Sequence, residues 1–232
     1  METIIRLNSQ TAGRDKTARL IQYLCKAIWD TLEANDINSN LIDQLRTFEL
    51  SLSTFRKTLR LGKCVDVFYS SLASLHYEDA VVRATVTLSK LASSMFLFCD
   101  HVIWFARTGF IKRIDVDKWN KLSNKYWLFS IVMNLLRDFY EIRRLLQQQP
   151  MKKLSCGSPR DFLSMPMEAL KCICAHKPIM LDTIRNLCDL LIPLNGLGFA
   201  RLNPRTIGLL GFISSVVGLM ALIEPTAKLS PA

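Results

Sequence analysis

Glycine and proline are scarce, nine and eight among 232 residues, and many of them fall after residue 149. So few turn formers cannot punctuate a sheet protein built from short strands, and apolar residues recur at helical rather than alternating spacing. The expected fold class is all-α. Histidine is scarcer still: His76, His101 and His176 are the only three, and none stands in a recognisable arrangement with a nucleophilic Ser or Cys. No glycine-rich phosphate loop follows a strand pattern. The chain therefore reads as non-enzymatic, with no cofactor expected. The first residues lack an apolar core of signal-peptide length, because Glu2 and Arg6 bracket Ile4 and Ile5, which predicts a cytosolic N-terminus. Seven cysteines, odd in number and without a repeating pattern, fit reduced thiols better than a disulfide framework.

What the chain does have is apolar surface and positive charge. Half of it is hydrophobic and the formal net charge is +10. Residues 101–160 carry twelve Lys or Arg against four acids, so that stretch should meet something anionic. Phospholipid head groups and nucleic acid both present phosphates to a basic surface.

Along the chain, a first helix is predicted from about Arg14 to Glu33, followed by an Asn-rich loop from Asn35 to Asn40. Leu41, Leu45, Phe48, Leu52, Phe55 and Leu59 then make one apolar seam that needs a partner helix or a membrane. From Arg56 to Leu75 the pattern sharpens. Leu61, Val65, Phe68, Leu72 and Leu75 fall within a narrow arc, with Arg56, Lys63, Ser70 and Ser74 opposite and Arg60 at the border. A helix lying in a head-group layer requires this pattern, and a core helix with a solvated charged side also produces it. Gly62 weakens the helix by about 1 kcal/mol, or marks a bend.

Residues 84–110 are apolar and aromatic but interrupted by Asp100 and His101. A carboxylate at the centre of a span costs about 2.5–3.5 kcal/mol on insertion scales, which favours a re-entrant, interfacial or helix-packed segment over a lipid-exposed one. Residues 111–148 read as a long basic and aromatic helix. Residues 149–166, with three prolines and a glycine, read as a linker, and 167–205 as a further helical region. Thr206 to Ile223 is eighteen residues without a charge, about 27 Å as a helix. That is close to the hydrocarbon thickness, so 206–223 is predicted to cross the membrane, leaving a short tail at 224–232. Gly211 with Ser215, and Ser214 with Gly218, are small residues four apart that let helices approach closely. The uncharged run speaks against a nucleic-acid-binding protein.

Two constellations suggest chemistry and are discounted. Cys172, Cys174 and His176, with Cys156 upstream, have the wrong spacing for common zinc fingers. Asp115 and Asp117 in a basic loop more often cap a helix than hold a metal.

Lys118-Trp119, followed by Tyr126, Leu128, Phe129, Ser130, Met133, Asn134, Arg137, Asp138, Tyr140 and Glu141, resembles the central signature of the peroxin-11 family. The run from Arg185 and Asn186 through Cys188, Asp189, Ile192 and Pro193 resembles its C-terminal block, and Leu59 to Lys63 its amphipathic region. The short linker resembles the animal beta type. The resemblance implies a peroxisomal membrane protein that self-associates, deforms the bilayer through amphipathic helices and promotes elongation, proliferation and fission. The implied partners are an anionic phospholipid membrane, further copies of the chain, a peroxisomal fission adaptor with a dynamin-related GTPase, and a membrane-protein import receptor. Carried over by position, Leu61, Val65, Phe68, Leu72 and Leu75 would enter lipid, while Arg56, Arg60 and Lys63 would hold head groups. Ser230, Pro231 and Ala232 do not form a Ser-Lys-Leu matrix address, so targeting is expected to be internal. The family is described with two crossings and both termini cytosolic. Eleven cations against six acids in residues 137–205 instead favour a cytosolic middle, and with Asp100 in the first candidate span a single C-terminal crossing fits too. The alternative function is a pore for small metabolites, with Asp100 and His101 lining a path between oligomerised helices.

Overall fold

The computed structural model describes residues 2–35, 39–111, 114–148 and 176–224. These form α-helices and no strand. In chain order they are α1 (Glu2–Ser9), α2 (Thr11–Glu33), α3 (Ser39–Leu59), α4 (Lys63–Ser74), α5 (Ala80–Arg107), α6 (Val116–Gln148), α7 (Lys177–Gly196) and α8 (Pro204–Ile223). The expected linker at 149–166 and the tail beyond Glu224 lie outside the described residues, as do Cys156, Cys172 and Cys174.

Local chemistry sets the boundaries. The Asp79 carboxylate accepts from the backbone N–H groups of Val81 (2.9 Å) and Val82 (3.3 Å), capping α5. Asp115 accepts from the N–H of Lys118 at the start of α6, the capping role expected of it. Pro204 opens α8, where its missing N–H is no loss, and the helix ends before Glu224 and Pro225. The helix expected over Arg56 to Leu75 is two helices. Gly62 takes φ +80, a left-handed conformation that other residues adopt only at a cost, and the chain turns there between α3 and α4.

Six of the helices touch in a closed ring: α5 on α6, α6 on α7, α7 on α8, α8 on α2, α2 on α3, and α3 back on α5. Within the described residues, helices opposite each other across the ring do not pack together. Side-chain pairs give the sense of each neighbour. Ser93 meets Ser130 and Ser89 meets Asn134, so α5 and α6 are antiparallel. On α8, Gly208 lies against Ala27 and Gly218 against Lys16, so α8 and α2 are antiparallel too. α4 packs outside the ring, along α5.

The ring buries charged and polar groups beside apolar ones and carries large apolar side chains on its outside. Lys57, Asp100, Arg137, Asp138, Asn186 and Asp189 are buried, while Phe48, Phe98, Phe129, Leu187, Leu209 and Ile213 are exposed on five different helices. A soluble bundle has the opposite arrangement. Two helices, α5 and α8, are long and apolar enough to cross a membrane. Asp100 lies inside the first of them, packed against α3 rather than facing outward.

Candidate membrane-interaction site

α4 is a short amphipathic helix turned inside out. Its buried residues are Ser71 and Ser74, whose hydroxyls bond back to the carbonyls of Phe68 (2.6 Å) and Ser70 (3.0 Å). Such self-satisfied small side chains let α4 sit close on α5, where Ser94 donates to the Cys64 carbonyl (2.8 Å). The apolar face therefore points away. Val65 is 66 % exposed, Phe68 49 % and Leu75 51 %, and Leu61 and Leu72 are exposed beside them, with Tyr69 at 75 %. Phe68 also closes one end of an apolar groove of about 460 Å³ between α4, α5 and α6, lined by Leu88, Leu91, Met95 and Phe129, with Lys125 and Tyr126 at its polar edge.

The three cations expected to hold head groups separate. Lys63 is exposed. Arg56 points into the ring, its Nε 3.0 Å from Asp15 and its Nη1 donating to Gln22 (2.8 Å). Arg60 Nη2 lies 2.8 Å from Asp100 Oδ2, a charge contact without hydrogen-bond alignment, and its guanidinium stacks over the Phe96 ring at 5.7 Å. Both belong to the end of α3 and the turn at Gly62, so they do not share a face with α4. Burial works to raise the Asp15 carboxyl, but Arg56 and Arg60 outweigh it and hold it below the usual range.

Asp100 is the other centre of this cluster. Its Oδ1 accepts from Lys57, and burial pushes that lysine down even with the carboxylate beside it. Trp104 donates to Thr58 (2.8 Å), and His101 Nε2 lies 2.8 Å from the Arg60 carbonyl. Together these contacts join α3 to α5 and close the ring. They engage Asp100 and His101 in structure, where the pore reading has them lining a path between oligomerised helices.

On the far side of the ring, Arg137 pairs with Asp182, and Asp138 accepts from Arg137 (3.2 Å) and from Asn186 (2.9 Å). Burial, and next the Asp182 charge, push Asp138 up to about 6. Arg19 grips Asp189 at 2.5 and 3.3 Å. Tyr140 donates to Asp79 (2.8 Å). Of the polar residues on which the family resemblance rests, Arg137, Asp138, Asn186 and Asp189 thus lie on the inside, binding α6 to α7 and α7 to α2, while Lys118 is exposed. Sequence reasoning placed them in motifs without finding this role. The available signal was that Arg137, Asp138 and Asn186 interrupt helices otherwise rich in apolar residues.

The family model for Peroxisomal biogenesis factor 11 (PEX11) matches residues 1–223. The chain belongs to the PEX11 family. PEX11 membership brings a role in peroxisome biogenesis and places the chain among peroxisomal membrane proteins. It is 33 % identical to Peroxisomal membrane protein 11B of Homo sapiens over the full length of both chains. It is 32 % identical to Peroxisomal membrane protein 11A of the same species over 99 % of each, and 28 % identical to Peroxisomal membrane protein 11C over 89 % of this chain and 88 % of that one. No solved structure matches this PEX11 chain.

Gly211, Ser214, Ser215 and Gly218 of α8 are all buried. A Cβ at Gly211 would stand 2.4 Å from the Tyr23 ring, so this glycine permits the close approach of α8 to α2 in the same chain. Within the PEX11 fold these small residues serve a contact inside the ring. The free cysteines among the described residues are Cys25, Cys64, Cys99 and Cys188, and His176 sits at the start of α7.

Proposed function

We propose that the chain elongates the peroxisomal membrane, ahead of fission, by seating the outer face of α4 in one leaflet. The observation that carries this is the inverted burial of α4: its buried serines face the bundle, while Val65, Phe68 and Leu72 face out, flanked by exposed Leu61 in the turn before it and Leu75 at its C-cap, with no helix over them among the described residues. Apolar side chains wedged between head groups expand one leaflet, and many copies acting together curve it. Lys63 stands where it can meet phosphates, contributing about 1 kcal/mol on an anionic surface. Arg56 and Arg60 act one step back, by fixing the end of α3 from which α4 departs. Self-association concentrates the wedges, and a fission adaptor with its dynamin-related GTPase would act on the narrowed tubule. Import through a membrane-protein receptor and a cytosolic N-terminus belong to the same reading.

The test uses the full-length protein in anionic liposomes, wild type against Val65→Glu with Phe68→Glu. Both positions are exposed, so the bundle should survive the change. Tubules from the wild type alone support the reading, and equal tubulation by the variant removes α4 from the mechanism.

A second reading, a metabolite pore, is favoured by the polar interior of the ring, where two cavities of about 430 and 320 Å³ share Lys16 as a wall. Conductance by purified protein in planar bilayers distinguishes it, since a wedge alone conducts nothing.

A further inference from the structure

The larger of the two cavities lies where α2, α5, α6, α7 and α8 converge. Its polar wall brings Lys16, Lys90, Arg137 and Arg185 together against one carboxylate, Asp182. The rest of the lining includes the apolar Val86, Leu181, Val217, Ala221 and Leu222. At about 430 Å³ it falls within the size range of small-molecule sites.

Two features set this wall apart from the paired clusters elsewhere in the ring. Lys16 makes no ion pair among the described residues, and its ammonium lies over the bare backbone of Gly218, 2.7 Å from where a Cβ would stand. Arg137 is 6 % exposed and lines the cavity, yet its Nε has no hydrogen-bond partner among the described residues. A buried guanidinium N–H left unmatched costs free energy that an acceptor in the cavity would recover. Burial, and next the charges of Arg185 and Arg19, push Lys16 down to about 8, with Asp15 and Asp189 opposing. An anion beside Lys16 would relieve that crowding.

We propose that this cavity is a binding site for a phosphate monoester, its oxygens held by Lys16 and Arg137 and any apolar portion lying against α8. Arg137 and Arg185 already share Asp182, so the donors left for a ligand are the Lys16 ammonium and the unmatched Arg137 Nε, and a guanidinium matches phosphate oxygens in geometry. The site is inside the ring and separate from the outward face of α4, so it stands or falls independently of membrane bending.

The phosphate can arrive on a lipid or free in solution. The test therefore places the full chain in nanodiscs of neutral phosphatidylcholine and titrates lysophosphatidic acid, inorganic phosphate and an uncharged monoacylglycerol, reading binding by calorimetry. Saturable binding of one phosphate probe per chain is expected, with none for the uncharged lipid. Preference for lysophosphatidic acid identifies a lipid source, and equal or better binding of inorganic phosphate a soluble one. Lys16→Gln should weaken binding at least tenfold. It removes an unpaired cation and so orphans no carboxylate. Ala221→Phe fills the cavity from its apolar lining without touching a charge and should abolish binding while helical circular dichroism stays unchanged. Lys121→Gln, an exposed position of α6 away from the cavity lining, should bind as wild type. Absence of saturable binding by both phosphate probes, or wild-type binding by both Lys16→Gln and Ala221→Phe, overturns the proposal.

Discussion

Asp138 is fully buried between α6 and α7, and its carboxyl is pushed up to about 6, first by burial and next by Asp182, against the pull of Arg137 and Asn186. In an unfolded chain the same group titrates near 3.9. Between those values the folded protein holds the proton that the unfolded chain has released. The contribution to stability is therefore full below about pH 4 and is lost as pH rises through about 6. Asp138→Asn imitates the protonated form, and the Asn186 carboxamide can turn over to suit it. Melting of the wild type in nanodiscs should gain on that of Asp138→Asn as pH falls from 7.5 to 4.5. Comparison with the variant cancels the titration of other carboxylates. Parallel melting curves across that range would mean that Asp138 stays ionised in the fold.

At the scale of elements, what was legible in the sequence is what local spacing carries. The seam of α3, the apolar face of α4 and the uncharged length of α8 all follow from periodicity or run length, and Gly62 marked the point where one amphipathic helix becomes two. The inward turn of Arg56 and Arg60 was not legible, because their carboxylates, Asp15 and Asp100, stand about forty residues away along the chain on other helices. The same holds for Arg19 and Asp189, 170 residues apart. Small residues on α8 were visible as a pattern, but only the fold supplies their neighbour. At Gly211 that neighbour is Tyr23, and a methyl group would overlap the ring. Gly211→Ala should destabilise the protein by about 1–3 kcal/mol, the usual range for overpacking a filled contact. Shrinking the ring should give part of this back, so the combination of Gly211→Ala with Tyr23→Ala should melt higher than the sum of the single losses requires. Strict additivity in thermal unfolding would place the strain elsewhere than the α2–α8 contact.

For the whole molecule, an apolar outside leaves little hydrophobic drive to hold the helices to one another once the chain is in lipid, since acyl tails solvate that surface equally well. Cohesion must then come from close packing and from the polar pairs inside the ring. Asp100 is the group on which closure depends most, because α3 meets α5 over a short stretch and Asp100 receives both Lys57 and Arg60 there. Removing one partner of a buried pair leaves the other charges uncompensated, at about 3–5 kcal/mol. Asp100→Ala should therefore cost that much in a denaturant titration of the reconstituted protein. The loss should be local in its first effect, with amide exchange rising in the last turns of α3 and in α5 around residue 100, while α7 and α8 stay protected. Glu33→Ala gives the contrast. Its partner Arg46 is 42 % exposed in the side chain and screened by water, so the change should cost under about 1 kcal/mol. Equal losses in the two variants would mean that the ring is held by packing alone and that its internal charges contribute nothing to closure.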